Sequence, residues 1–178
     1  TNWKLLAETT MEGYHIKSLH KKSFYPYGLD NITVVENFGS HSRVIFPFKR
    51  IEKLRDIDPK DQHLGGMVTS VYQIFPNVAI SVLSKHSTVT IFEPLSPTRT
   101  QMLIFRATNK KSDGTTTDVE EAKRDASFVK DAGFDEDREA ACAIQETLST
   151  KANQHLTFGY FEKAIVHFHQ NLAKDLSN

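Results

Sequence analysis

Between Asn31 and Thr108 the chain alternates short runs rich in β-branched and aromatic residues with connections that hold no long helix. No other feature restricts the fold so strongly. Parallel neighbours need a crossover of a dozen or more residues, whereas antiparallel neighbours need only a tight turn. The runs are Asn31–Phe38, His41–Lys49, Met67–Phe75, Val78–Phe92 and Gln101–Thr108. Gly39-Ser40 reads as a hairpin join. Val78–Phe92 is long for one strand, so Ser84-Lys85-His86-Ser87 is expected to fold it into a second hairpin. Pro94 and Pro97 bracket a turn before Gln101, and the polar stretch Arg50–Asp61 predicts a helical connection.

Helical patterning flanks this region. Trp3, Leu5, Leu6, Met11 and Leu19 predict a helix from Trp3 to about Leu19, with Asn2 as its N-cap and Pro26 and Gly28 beyond its end. Lys110–Thr117 is polar and reads as a loop. Three helices are expected after it: Asp118–Ala132, Asp135–Ser149 and Phe158–Leu176, the last burying Phe161, Ile165, Phe168 and Leu172. The order is α+β: a curved antiparallel sheet packed against a long C-terminal helix, with a pocket enclosed between them. No repeat and no second composition regime divides the chain, so residues 1–178 are read as a single domain, long enough for a real core.

Charge narrows the function classes. Lys and Arg total 22 and Asp and Glu total 22, so the basic excess that nucleic acid or an anionic membrane surface normally requires is absent. No apolar run approaches the roughly 20 residues that span a bilayer, and no signal pattern opens the chain. A soluble, cytoplasmic protein is expected. Cys142, the only cysteine, excludes an internal disulfide, a Cys-rich zinc site and an iron–sulfur cluster held by this chain alone. In the setting Ala140-Ala141-Cys142-Ala143-Ile144 it reads as a small buried hydrophobe.

The chemistry concentrates between Glu8 and His20. On a helix Glu8, Glu12 and His15 share one face. His20 lies about 140° around from His15, so both imidazoles reach one metal only if the helix loosens or ends between them. By spacing alone, Glu and His on one helix face are more often a solvated face than a ligand set. Among the other histidines, His167 and His169 flank Phe168 on opposite sides and make a poor ligand pair. His41, His63, His86 and His155 fall in strand edges or loops. His86, if turned inward from its hairpin, would line the pocket.

The stretch from Trp3-Lys4 through Glu12-Gly13-Tyr14-His15 to His20 resembles the iron-binding segment of ring-hydroxylating Rieske oxygenase α subunits. That segment places an acidic residue, two residues, His, four or five residues, and a second His. Pro76-Asn77, Pro94 with Ser96-Pro97, and Phe134-Asp135-Glu136-Asp137-Arg138-Glu139 followed by Gln145 resemble the catalytic domain of the same family. The resemblance implies a helix-grip fold with a ligand-bearing helix at the N-terminus. It also implies mononuclear Fe(II) held by His15, His20 and a carboxylate. Asp137, three residues after Phe134, matches the third ligand best, with Asp135 and Glu136 open. On its own, an Asp in an acidic helix start is favourable helix-dipole placement. A facial triad of two His and one carboxylate leaves coordination positions for dioxygen beside the substrate. Glu12 takes the position of the family's bridging acid, usually Asp, and is assigned the catalytic role of linking the iron histidine to electron entry. Glu8, Thr9, Ile16 and His86 are expected to contact substrate, although Glu8 reads equally well as a solvent-facing carboxylate.

A Rieske [2Fe-2S] cluster needs paired Cys and His motifs that this chain lacks. The resemblance implies a Rieske domain upstream of Thr1, and a start other than Met suggests truncation. The activity implied by resemblance is that of a ring-hydroxylating mono- or dioxygenase, which uses dioxygen to hydroxylate or dihydroxylate an aromatic or other small organic substrate. Electrons would come from the Rieske domain of a neighbouring subunit in a homotrimer, supplied by a reductase or ferredoxin, with no nucleic-acid or membrane partner. Two rivals share the scaffold: a non-enzymatic binder of hydrophobic ligands, and a zinc hydrolase using the same triad.

Overall fold

A computed structural model describes residues 1–111, 113–153 and 155–177, the side chain of Ala132 excepted. The β-rich region forms six strands: β1 (Val34–Phe38), β2 (His41–Pro47), β3 (Val68–Ile74), β4 (Val78–Val82), β5 (His86–Ser96) and β6 (Arg99–Thr108). Each pairs antiparallel with the next, in the order β1-β2-β3-β4-β5-β6. Short connections and period-two patterning leave no other arrangement as economical. Phe38 pairs with His41 across Gly39-Ser40, and Gly39 takes φ +61, a left-handed conformation that glycine adopts without a Cβ clash. The long run after Val78 does fold back: Leu83 N–H donates to His86 O at 3.0 Å. β5 then continues through Pro94 to Ser96, so Pro94 lies in a strand rather than beside a turn. Arg50–Asp61 contributes only two short 3₁₀ turns, Lys49–Leu54 and Pro59–Asp61. In the Lys110–Thr117 loop Lys110 bridges Thr116, while Ser112 lies outside the described residues.

The N-terminal helix is shorter than expected. α1 covers Trp3–Glu8, capped by Asn2, whose side chain accepts from Lys4 N–H at 3.0 Å. It stops because Thr9 Oγ1 and Thr10 Oγ1 donate back to the carbonyls of Leu6 and Ala7 at 2.8 and 2.7 Å. Tyr14–Lys17 is a separate 3₁₀ turn, and His20 follows it outside any helix. The expected ligand-bearing helix is thus a single 3₁₀ turn at Tyr14–Lys17, and Glu8, Glu12 and His15 do not share a helix face.

Beyond the sheet, α2 (Val119–Val129) runs through a π-helical turn at Lys130–Phe134 into α3 (Asp135–Ser149). These are one continuous helix, not two, and Asp135 is preceded by helical backbone at Phe134. A helix-dipole explanation for Asp135, Glu136 and Asp137 therefore has no free N-terminus to act on. α4 (Lys163–Leu176) buries Ala164, Ile165 and Phe168. Phe168 meets Trp3 and Phe75 edge-on at 5.7 and 6.0 Å, joining α4 to α1 and the sheet in a core with Met11, Val44, Val71 and Phe92. Phe161, expected inside that last helix, sits in a 3₁₀ turn (Tyr160–Glu162) and stacks on Tyr14. Cys142 is exposed, a correction to its expected burial: the buried residue of α3 is its neighbour Ala141. Among the described residues no helix is long and apolar enough to cross a membrane.

Candidate metal centre

Between the sheet and the α2–α3 helix lies a cavity of about 660 Å³. Its wall is chiefly apolar, from residues such as Ile16, Phe24, Phe46, Val71 and Phe128. Glu12, His15, His20 and Asp137 also line it. One ligand atom each from His15, His20 and Asp137 falls within 4.8 Å of the others.

Each imidazole presents one nitrogen to that point and anchors the other. Glu12 accepts from the backbone N–H groups of Tyr14 and His15, the latter at 3.1 Å, and its Oε1 contacts His15 Nδ1. Gly13 lies in the bend that brings Glu12 under the ring, and a Cβ there would stand 3.0 Å from Phe46. His15 Nε2 is then left 3.5 Å from Asp137 Oδ1. His20, 1% exposed, directs Nδ1 to Glu136 Oε2 at 2.5 Å, and Ser23 Oγ donates to the same oxygen at 2.8 Å. Its Nε2 faces Asp137 Oδ1 at 3.0 Å as an ion pair.

Asp137 Oδ1 is buried yet makes no hydrogen bond among the described residues. Its partners are the two imidazole nitrogens alone, and a buried carboxylate oxygen so placed is stabilised further by a cation held between them. Two ligands about 2.1 Å from one ion and at right angles to each other stand about 3.0 Å apart. The 3.0 and 3.5 Å separations measured from Asp137 Oδ1 suit such a shared ion. Two neutral imidazoles with one carboxylate form the donor set of a non-heme Fe(II) site, so the residues present fit that metal. Burial works to lower the His20 pKa, but the nearby Asp137 and then Glu136 carboxylates outweigh it and hold the imidazole above its ordinary value of 6.5. Burial likewise pushes Glu136 up, and the bonds from His20 and Ser23 overcome it, leaving the carboxyl below its usual value. A metal ion at His20 would therefore compete with a proton there.

The remaining expected residues separate. Thr9 and Ile16 line the cavity. Glu8 does not: it pairs with His169 Nε2 on α4 at 2.8 Å. Nor does His86, which is turned inward but stands behind Asp125, with its Nδ1 2.8 Å from Asp125 Oδ2. Asp135 is exposed, while Glu136 and Asp137 face the histidines. Sequence reasoning missed Ser23 and the supporting role of Glu136. A serine three residues after a histidine carries no signal of its own, and Glu136 lies 116 residues from its partner.

Phe24 roofs the site, with its ring 5.0 Å from His20 and 5.8 Å from Phe128. A Cβ at Gly133, in the π-helical turn, would stand 2.8 Å from Phe24 Cε2. Gly133→Ala is therefore expected to displace the Phe24 ring, costing about 1–3 kcal/mol as overpacking does. Chemical denaturation should record that loss, and calorimetry should show weaker metal binding because His20 loses its packing partner.

The family profile described as ring hydroxylating alpha subunit (catalytic domain) matches residues 1–178. No curated protein matches the chain. In structure, the chain is similar to the quaternary ammonium Rieske monooxygenase CntA solved with an inhibitor, with a TM-score of 0.68 and 16% identity. That likeness covers 97% of this chain and 46% of CntA. Dicamba monooxygenase bound to 3,6-dichlorosalicylic acid gives a TM-score of 0.60 and 14% identity, over 97% of this chain and 55% of that one. The chain thus spans about half the length of the solved relatives it matches.

Proposed function

Because this chain belongs to the family of ring-hydroxylating α-subunit catalytic domains, we propose that it is the mononuclear iron domain of a Rieske-type oxygenase. In this reading His15 Nε2, His20 Nε2 and Asp137 Oδ1 hold Fe(II), and an aromatic or other small organic substrate occupies the adjoining cavity, to be hydroxylated or dihydroxylated with dioxygen. The observation that carries it is Asp137 Oδ1, buried without a hydrogen bond and facing two imidazole nitrogens whose partners across each ring are already bound. When bound, the iron supplies dioxygen binding and one-electron redox steps, which zinc on the same ligands cannot.

The chain's own residues prepare that site. Glu12 fixes the tautomer and direction of His15, and Glu136 with Ser23 does the same for His20. The apolar wall of Ile16, Phe24 and Phe46 excludes water and shapes the space for a ring or chain beside the metal. Thr9 and Ile16 touch the substrate in this reading. Glu12 also relays electron entry from a [2Fe-2S] Rieske domain on a neighbouring subunit of a homotrimer, itself served by a reductase or ferredoxin. A single domain over residues 1–178 in the cytoplasm completes the proposal.

Anaerobic loading with Fe(II) followed by metal analysis tests it. We expect about one iron per chain in the wild type and a loss of most of it in His15→Ala. No stoichiometric iron in the wild type, or equal iron in the variant, overturns the reading. Tight zinc with activity indifferent to dioxygen would favour a hydrolase instead.

A further inference from the structure

The outward face of the sheet reverses the usual polarity. Along β5, alternation turns His86, Thr88, Thr90 and Phe92 inward, where all four are buried, and leaves Val89 and Ile91 outward. Thr88 pairs with Ser81, and Thr90 pairs with Ala79, itself opposite the buried Gln73, so the inward side is rich in polar groups. A half-solvated antiparallel sheet ordinarily does the opposite, with apolar residues inward and polar residues towards water.

Register joins the outward residues into rows. Tyr72 pairs with Ile80, Ile80 with Val89 and Val89 with Phe105, so one apolar row crosses β3 to β6. The row beside it runs from Val78 through Ile91 to Leu103. Phe105 is 60% exposed, on the edge strand β6. Among the described residues, the core that ties α1, α3 and α4 to the sheet draws on inward residues such as Val44, Val71 and Phe92. No member of either row belongs to that core, and none lines the cavity beside the metal centre. Contiguous apolar surface of this kind is rare on a protein that stays alone and marks an interaction site.

Area and charge both point to a second copy as the occupant. Strands of 5 to 11 residues, six of them side by side, make a face of roughly 700 Å² at about 4.8 Å between strands and about 3.3 Å per residue. A stable interface takes about 800 Å² from each partner. Charge stays at the rim: Glu36 pairs with Arg43 towards β1, and Glu93 lies beyond Ile91 on β5. Arg43 is already seated over the rings of Phe38 and Tyr72, at 5.9 and 5.7 Å. An apolar centre inside a charged rim is the anatomy of an interface. Nothing in the two rows would select an acidic or a basic partner, whereas a second copy brings the same rows. Lys and Arg total 22 against 22 Asp and Glu, so two copies carry no net repulsion.

We propose that the outward face of the sheet is a self-association surface, on which a second copy of this chain packs its own sheet face to face about a two-fold axis. Such a contact is isologous, the same patch on both sides, and two sheets packed this way lie about 10 Å apart. The inference stands apart from the metal reading, since it uses no residue of the site.

Sedimentation equilibrium over a concentration series of the full chain tests it. The mass is expected to rise from 20.2 kDa towards twice that value. Phe105→Lys should weaken the dimer at least about 100-fold, because it buries an unpaired charge in an apolar contact. Leu176→Lys, at an 86% exposed position near the end of α4, should leave the association unchanged. Should Phe105→Lys fail to fold by circular dichroism, Val89→Thr and Ile80→Thr keep the β-branched shape and carry the same test. A wild type that stays monomeric at every concentration overturns the inference and leaves the face to a different chain. A dimer indifferent to these substitutions overturns it as well, and so does a trimer in place of a dimer.

Discussion

Asp137→Ala is expected to lower Fe(II) affinity by more than about 100-fold, beyond the 10–100-fold that removal of an outer hydrogen-bond partner commands. The three adjacent acids should respond in graded fashion. Asp135 is exposed, so Asp135→Ala should leave iron content unchanged. Glu136→Gln keeps an oxygen near His20 Nδ1 but removes the charge that holds the imidazole, so a loss of about 10–100-fold is expected. Of the three, Asp137 alone supplies a ligand atom in the proposed site. Truncation also removes the ion pair to His20 Nε2, so some stability loss in the metal-free protein is expected alongside the loss of affinity. Competition titration against a calibrated chelator gives the affinities, and denaturation of the metal-free variants separates binding from folding. Equal losses at Asp135 and Asp137 would show that the acids act through bulk charge and not as a ligand and its supports.

The second large effect lies away from the metal. Phe168 is 4% exposed and packs against Trp3 of α1 and Phe75 at the end of β3, so its ring ties three parts of the chain together. Phe168→Ala is expected to cost about 3–5 kcal/mol, from lost apolar burial and the cavity left behind. For a chain of 178 residues this corresponds to a fall in Tm of roughly 6–20 °C. Differential scanning calorimetry would measure it. Phe168→Leu fills most of the volume and should recover much of the loss. A shift of less than about 2 °C in the alanine variant would mean that the helix-to-sheet contact is not a core contact.

Much of this architecture was legible in the residues themselves. Alternating β-branched and aromatic runs identified the strands because a half-buried sheet imposes a period of two, as the alternate burial of His86, Thr88, Thr90 and Phe92 shows. Asn2 was readable as a cap because its role is local. The end of α1 was not, since Thr9 and Thr10 bond back to carbonyls in a way that composition does not distinguish from continued helix. Cys142 failed for a related reason. In a run of small residues one position of helical phase decides burial, and packing gave it to Ala141. Nor could spacing place the supports of the site, because His86 meets Asp125 and His20 meets Glu136 and Ser23 only after the sheet is built.

The π-helical turn and the strictly sequential order of the six strands bear on when a metal can be acquired. His20 and Glu136 are 116 residues apart, and the whole sheet lies between them. During synthesis the two histidines emerge long before their carboxylate, so a nascent chain offers an ion only two imidazoles on a turn. A complete donor set exists only once β6 has paired and the helix behind it has docked in register. With the proposed ligand set, metal capture would thereby report finished folding: a chain arrested partway, or one whose helix has slipped by a residue, would be expected to stay empty.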